Sequence, residues 1–350
     1  MKKLTTPFGD ISNYANLYKA YLSARKGKKS RKDVIVFTAN LESNLCELMR
    51  ELSDGSYIPG EYNEFYINEP KRRLVMALPF RDRVVQWAIY RQLNPFFERR
   101  FIHHSYACIK NRGTHRAVAT VEKWARCGGH RELYYLKMDI AKYFYRVDHN
   151  TLNRILAHHI QDNDILNLLS RIIESSPVGF GLELNAVAQT RVSDKGMPIG
   201  NLTSQLFANI YLNELDYFVK RVLRIKRYAR YMDDFVIIHH DRGHLQRVKL
   251  LIRRFISCEL NLIDNAKTVV APVSAGLPFL GHTITPSCTR LNRASALRMK
   301  RKLVRAFKLE AQGDPRHSEF IRSCRASYRG MLRHCNARAL ENRLTSRNLL

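Results

Sequence analysis

Two aspartates stand side by side in RYMDDFVII, Arg230–Ile238, inside a run that otherwise reads as a β-strand. Adjacent carboxylates repel each other and lose solvation when half-buried. Such a pair is tolerated where a divalent cation neutralises it, and Mg2+ takes one or two carboxylates together with substrate phosphates. A third acid is available in LKMDIAKYF, where Asp139 ends an apolar run 94 residues before Asp233. Three carboxylates on two strand ends could hold two metals ~3.5–4 Å apart for in-line phosphoryl transfer. The competing reading of an isolated Asp-Asp pair is a polar hairpin turn.

Positioning these acids requires strands. LYYLKMDI, Leu133–Ile140, is aromatic and branched enough for one, and the Arg230–Ile238 run predicts two strands joined by a tight turn. Side chains alternate across a strand, so only one of two adjacent acids points straight at a given site. Helices are predicted over Arg81–Phe101 with an interruption at Pro95, and over Thr114–Arg126 with Thr114 as N-cap. Two more fall around Asn150–His159 and Asp162–Glu174. A long amphipathic helix spans Thr203–Leu223, with Leu206, Ile210, Leu215, Phe218 and Val222 near one face. A helix at Leu245–Cys258 and strands near Thr268–Ala271 and Phe279–Thr283 follow. The expected fold class is α+β: an antiparallel sheet with packed helices, then an α-helical lobe.

Charge narrows the partner. The 350 residues carry 59 Lys+Arg against 31 Asp+Glu, a net +28, which suits a polyanion because each neutralised phosphate releases counterions. Residues 290–350 alone hold 16 Lys/Arg and 4 acids on two predicted helices separated near QGDPRHS. SARKGKKSRKD, Ser23–Asp33, reads as a flexible basic arm within residues 1–40. Seven cysteines with no C-x-x-C spacing argue against a disulfide framework or zinc finger, and CGGH at Cys127–His130 lacks a partner pair. No apolar run reaches the ~18 residues of a membrane span and no secretory signal opens the chain, so a cytoplasmic protein is expected.

YMDD, preceded by MDIAKYF and GMPIGNLTSQLFANIYLNELD, resembles the palm of a reverse transcriptase. RRLVMALPFRDRVVQ resembles the fingers blocks and SYACIKNRGTHRAV the block after them. LNLIDNAKTVV and PFLGH resemble the two that follow the hairpin. These blocks, in order from Arg72 to His282, make the match specific.

The resemblance implies a right-hand polymerase fold. Fingers with part of the palm would occupy 41–135, palm 136–285 and helical thumb 290–350, behind the 1–40 arm. It implies catalysis and binding of two Mg2+, with Mn2+ as a substitute, by Asp139, Asp233 and Asp234, and a backbone ligand from Ile140. Phe144 matches the aromatic gate that selects dNTP over NTP. Arg73, with Arg72 or Lys71, matches the residues that grip the triphosphate. Tyr231, Met232 and Lys267 match positions at the primer and template, and PFLGH, with Gly281, matches the primer grip.

One departure is informative. The family's usual QGxxxSP block reads IGNLTSQ here, and the resemblance implies that Ile199, Gly200 and Gln205 lie beside the incoming nucleotide. This form resembles reverse transcriptases of diversity-generating retroelements, as does SYACIKNRGTHRAV. Those enzymes copy a template-repeat RNA with errors at adenines, and the cDNA diversifies a target gene (mutagenic retrohoming). Isoleucine offers only shape where glutamine offers a hydrogen bond, which relaxes discrimination by ~1–3 kcal/mol. The implied partners are template RNA, the RNA/cDNA duplex, dNTPs and a small basic accessory protein, the accessory variability determinant, in a bacterial or phage system. The alternatives are a retron-type or group II intron-like reverse transcriptase, and a catalytically idle RNA-binding protein of the same fold.

Overall fold

The apolar runs of LYYLKMDI and RYMDDFVII pair into one sheet. This is seen in a computed structural model that describes residues 3–68, 72–129, 131–175, 181–182, 191–313 and 317–345. The sheet is antiparallel, in the order Tyr228–Tyr231, Asp234–His239, Tyr134–Asp139, Val269–Pro272. The central pair runs in register from Tyr134 opposite His239 to Asp139 opposite Asp234.

Both faces of the sheet are covered, which explains why FVIIH is apolar at successive positions. Leu136, Met138, Phe235 and Ile237 join the main core, beneath the helices Phe80–Glu98, Leu202–Tyr217 and Arg242–Leu260. Tyr135, Val236 and Ile238 join a second core with the helix Thr114–Arg126 and the hairpin strands Leu277–Phe279 and His282–Ile284. By alternation Lys137, Asp139 and Asp234 lie on this second face, at its edge.

Four expectations need correction. The segment around Ser23–Asp33 is not a flexible arm: helices Gly9–Ser12, Tyr14–Ala24 and Lys32–Ala39 pack into the main core. Leu17, Ala20, Tyr21 and Ala24 give a helical apolar stripe, and Asn16 Nδ2 donates to Ala88 O at 3.1 Å. Of SARKGKKSRKD, Arg25–Arg31 forms the connection between two helices. Pro95 does not interrupt its helix, which continues to Glu98; it sits in the last turn, where it removes only one ladder bond. Thr114 is the first helical residue rather than the cap, which is Gly113 at φ 134.

The fourth concerns the Thr203–Leu223 helix. Its α-helical part is Leu202–Tyr217, buried on nearly every side, and a π-helical turn, Phe218–Val222, ends it. The wider turn changes the angular register, so Val222 leaves the apolar face and is 67% exposed.

Beyond the sheet, three helices, Arg293–Ala311, Ser318–Leu332 and Arg338–Thr345, close a separate core of Met299, Leu303, Ile321 and Leu332. The third was not predicted from the sequence. The chain is α+β, with an antiparallel sheet, its helices and a helical C-terminal lobe. No helix among the described residues is long and apolar enough to cross a membrane.

Candidate active site

The strand pairing puts Asp139 directly opposite Asp234, and the YMDD turn sets Asp233 beside them. Met232 turns the chain at φ 57, a left-handed conformation unusual for this side chain and of the kind stored at functional sites. Ile140 donates its N–H to the Asp233 carbonyl at 3.2 Å, so the two acid-bearing segments are tied through their backbones.

The site carries unneutralised negative charge. Asp233 is pushed up to about 6, first by burial and then by the neighbouring Asp139 carboxylate, with Arg73 working in the opposite direction. Asp234 is also raised by burial, against the pull of Lys137.

Among the described residues no three His, Cys, Asp or Glu side chains converge as a metal-binding group. The physical reason is visible. Asp234 is drawn into an ion pair with Lys137, two residues before Asp139 on the same face. Asp139 accepts from Asn265 Nδ2 at 3.1 Å, and its carbonyl accepts from the Asn265 N–H at 2.7 Å. Asp234 and Asp139 thus each find another partner. Three carboxylates with a backbone carbonyl beside them are all-oxygen donors, the kind a hard cation takes, and a shared divalent cation would offset their repulsion.

A pH dependence follows. A carboxyl whose folded pKa is raised contributes stability below the unfolded value near 4 and loses it as pH rises through about 6. In chelator, the protein is expected to lose about 2 kcal/mol from Asp233 between pH 4 and 7. Denaturant melts should show a shallower loss for Asp233→Asn. Equal slopes for the two proteins would contradict the burial of this charge.

The hairpin is anchored by residues to which sequence reasoning assigned no role. Arg230, wholly buried, grips Asp216 through Nε at 2.8 Å and Nη2 at 2.6 Å. Its Nη1 donates to the Met232 carbonyl at 3.1 Å and to Asn209 Oδ1 at 3.3 Å. Tyr228 Oη donates to the same Asp216 at 2.7 Å. Burial opposes the Arg230 charge, but the Asp216 carboxylate outweighs it and the net shift is upward. The only signal in the sequence was an arginine in an otherwise apolar strand.

IGN docks on the strand Arg73–Ala77. Met76 N–H donates to Ile199 O at 2.9 Å, and the Ile199 side chain packs near Leu74, Met76, Tyr62 and Tyr145. Gly200 has φ 126, and a Cβ there would come within 2.8 Å of Met76 O, so glycine is required. Gln86 Oε1 accepts the Leu202 N–H at 3.0 Å, satisfying a helix terminus that Asn201 does not cap.

The remaining residues fall as follows. Gln205 is half-buried in the first turn of that helix, and Phe144 packs edge-on to Tyr143 at 5.6 Å, its carbonyl accepting from Met197. Arg72 and Arg73 are exposed on the strand Arg73–Ala77 and its approach; Arg72 lies 4.2 Å over the Tyr66 ring. Lys71 lies outside the described residues.

Tyr231 Oη accepts from Thr114 Oγ1 at 3.4 Å. Lys267 is exposed, with its N–H on Asn265 Oδ1 at 3.1 Å. Gly281 (φ 83) and Leu280 (φ 46) form the turn of the PFLGH hairpin, and Gly281 O accepts from Asn292 at 2.9 Å.

Residues 67–284 match the family model described as reverse transcriptase (RNA-dependent DNA polymerase). Protein YkfC of Escherichia coli K12 is 28% identical over 282 residues, covering 70% of this chain and 72% of that protein. The group II intron-encoded protein LtrA of Lactococcus lactis is 25% identical, covering 83% of this chain and 56% of its own length. A telomerase structure from Candida albicans superposes with a TM-score of 0.47 at 14% identity, over 68% of this chain and 46% of that one. The family model spans every element that carries the three acids, from the strand Arg73–Ala77 through the PFLGH hairpin, and the chain belongs to the reverse transcriptase (RNA-dependent DNA polymerase) family.

Proposed function

We propose that this chain makes cDNA on a template-repeat RNA with low fidelity at template adenines, in a diversity-generating system. The observation that carries the polymerase part is the register of Asp139 opposite Asp234 with Asp233 in the turn beside them. Asp139, Asp233 and Asp234, with the Ile140 carbonyl, would hold two Mg2+. When bound, such ions acidify the primer 3′-hydroxyl and neutralise charge on the transferring phosphoryl group.

The protein's own groups do the rest. Arg73 already acts electrostatically on Asp233, so a triphosphate gripped by Arg72 and Arg73 would lie against the carboxylates. Phe144, at the end of the short helix Tyr143–Arg146 nearest Asp139, would crowd a 2′-hydroxyl and so favour dNTPs. Tyr231, Met232, Lys267 and Gly281 would line the primer and template. The RNA template, the RNA/cDNA duplex and a small basic accessory protein are the proposed partners, in a bacterial or phage-infected cytoplasm.

The diversity-generating assignment rests on IGNLTSQ. Ile199 fills an apolar contact with Leu74, Met76, Tyr62 and Tyr145, and its side chain has no hydrogen-bonding group to offer a nucleotide. Sequencing of cDNA copied from an adenine-containing RNA is expected to show errors concentrated at adenines. Ile199→Gln should reduce them about tenfold. Errors spread evenly over all four bases would overturn this assignment and favour a retron-type or intron-like enzyme.

A further inference from the structure

The end of the central sheet away from the carboxylates carries a pocket. His239 pairs with Tyr134 five residues from the Asp139–Asp234 pair, roughly 17 Å away at ~3.3 Å per residue. There, Leu133 and Ile238 form the floor of a concave pocket of about 560 Å3. Its rim carries Arg131, Arg224, Lys226 and Arg227, and no acid lines it. None of these four cations forms an ion pair with an acid among the described residues. The nearby Asp241 carboxylate is engaged by the His244 N–H at 2.9 Å and by Arg247 at 3.8 Å.

Beside the cations stand three imidazoles. His239 lies 4.3 Å from His240 and 4.5 Å from His244, centre to centre, in stacked and tilted contacts. Burial and the two neighbouring imidazoles lower the His239 pKa, which leaves a neutral ring. Lys220 Nζ donates to the Ile225 and Lys226 carbonyls at 2.8 and 2.9 Å, so the rim segment is held in shape.

Unpaired cations beside flat rings are what single-stranded nucleic acid binds: phosphates go to the charges and bases stack on the π-faces. A compact anion would leave the rings unused, and a duplex presents no free base faces. We propose that this pocket holds a single-stranded RNA segment outside the copied duplex, tethering the template at the end of the palm opposite the carboxylates. The inference rests on RNA being the template, as proposed above.

The test uses the full chain and two labelled substrates: a short primed RNA duplex, and the same duplex with a 30-nucleotide single-stranded RNA extension. Anisotropy titration of wild type is expected to favour the extended substrate about tenfold. Arg131→Glu/Lys226→Glu, at two exposed positions, should abolish that preference and lower the salt slope by about 2. His244→Ala should reduce the preference about threefold at unchanged salt slope. dNTP incorporation on the short duplex should stay at the wild-type level in both variants.

An extended-substrate preference that survives charge reversal overturns the proposal while leaving the polymerase reading intact. A loss of short-duplex binding equal to that of the extended substrate overturns it as well. Absence of incorporation by wild type on the short duplex would instead strike the polymerase reading. A DNA extension bound as tightly as the RNA one would overturn the assignment to RNA.

Discussion

Asparagine in place of Asp233 is expected to lower RNA-templated dNTP incorporation by about 10^3-fold or more, with affinity for primed template unchanged within about threefold. The substitution keeps the shape of the turn and the Ile140 N–H to Asp233 carbonyl bond, because that bond is to the backbone. It removes the carboxylate whose raised pKa reports burial beside Asp139. Steady-state rates and anisotropy titrations on one substrate separate the two effects. A variant that retains a tenth of the wild-type rate would mean that Asp233 is not part of the reacting centre.

The second large effect lies behind the site. Arg230→Met strands the Asp216 carboxylate at a position of zero exposure and is expected to cost about 3–5 kcal/mol in denaturant melts. The double variant Arg230→Met/Asp216→Leu should recover most of that loss, since replacing both members of a buried pair by apolar groups is often close to neutral. Activity should not recover with it. Arg230 Nη1 also holds the Met232 carbonyl, and without that bond the strained φ of Met232 has one restraint fewer. A stable and fully active double variant would show that the turn needs no such clamp. A single variant costing under about 1 kcal/mol would show that the pair is not the buried unit described.

The catalytic strands were legible because their signals are local. Short apolar runs rich in aromatic and branched residues ended at Asp139 and began again after Asp234, and the observed pairing brings those two ends together. The role of Arg230 is not legible in its strand, because its partner Asp216 lies on a helix across the fold. A charge in an apolar strand does not say what neutralises it. Lys137 and Asn265 were missed for the same reason: each is a polar residue of ordinary type whose role exists only through a carboxylate brought close by the fold.

The N-terminal error has a different origin. Lys and Arg dominate Ser23–Asp33 and mask the stripe Leu17, Ala20, Tyr21, Ala24, which the structure buries against the helix Phe80–Glu98. Long basic side chains are compatible with a helix whose opposite face is core. Val222 was misplaced because a π-helical turn cannot be read from 3.6-residue spacing. The third helix of the C-terminal lobe, Arg338–Thr345, contributes Leu344 to its core, too little apolar periodicity to stand out in the sequence.

Primer extension by the wild-type chain on a primed RNA template, with dNTPs and in the presence of Mg2+ or of chelator, tests the central claim most directly. The account predicts full-length cDNA with Mg2+, none with chelator, and extension restored when Mg2+ is added back in excess. No extension with Mg2+ present, on a template that the chain demonstrably binds, would contradict it.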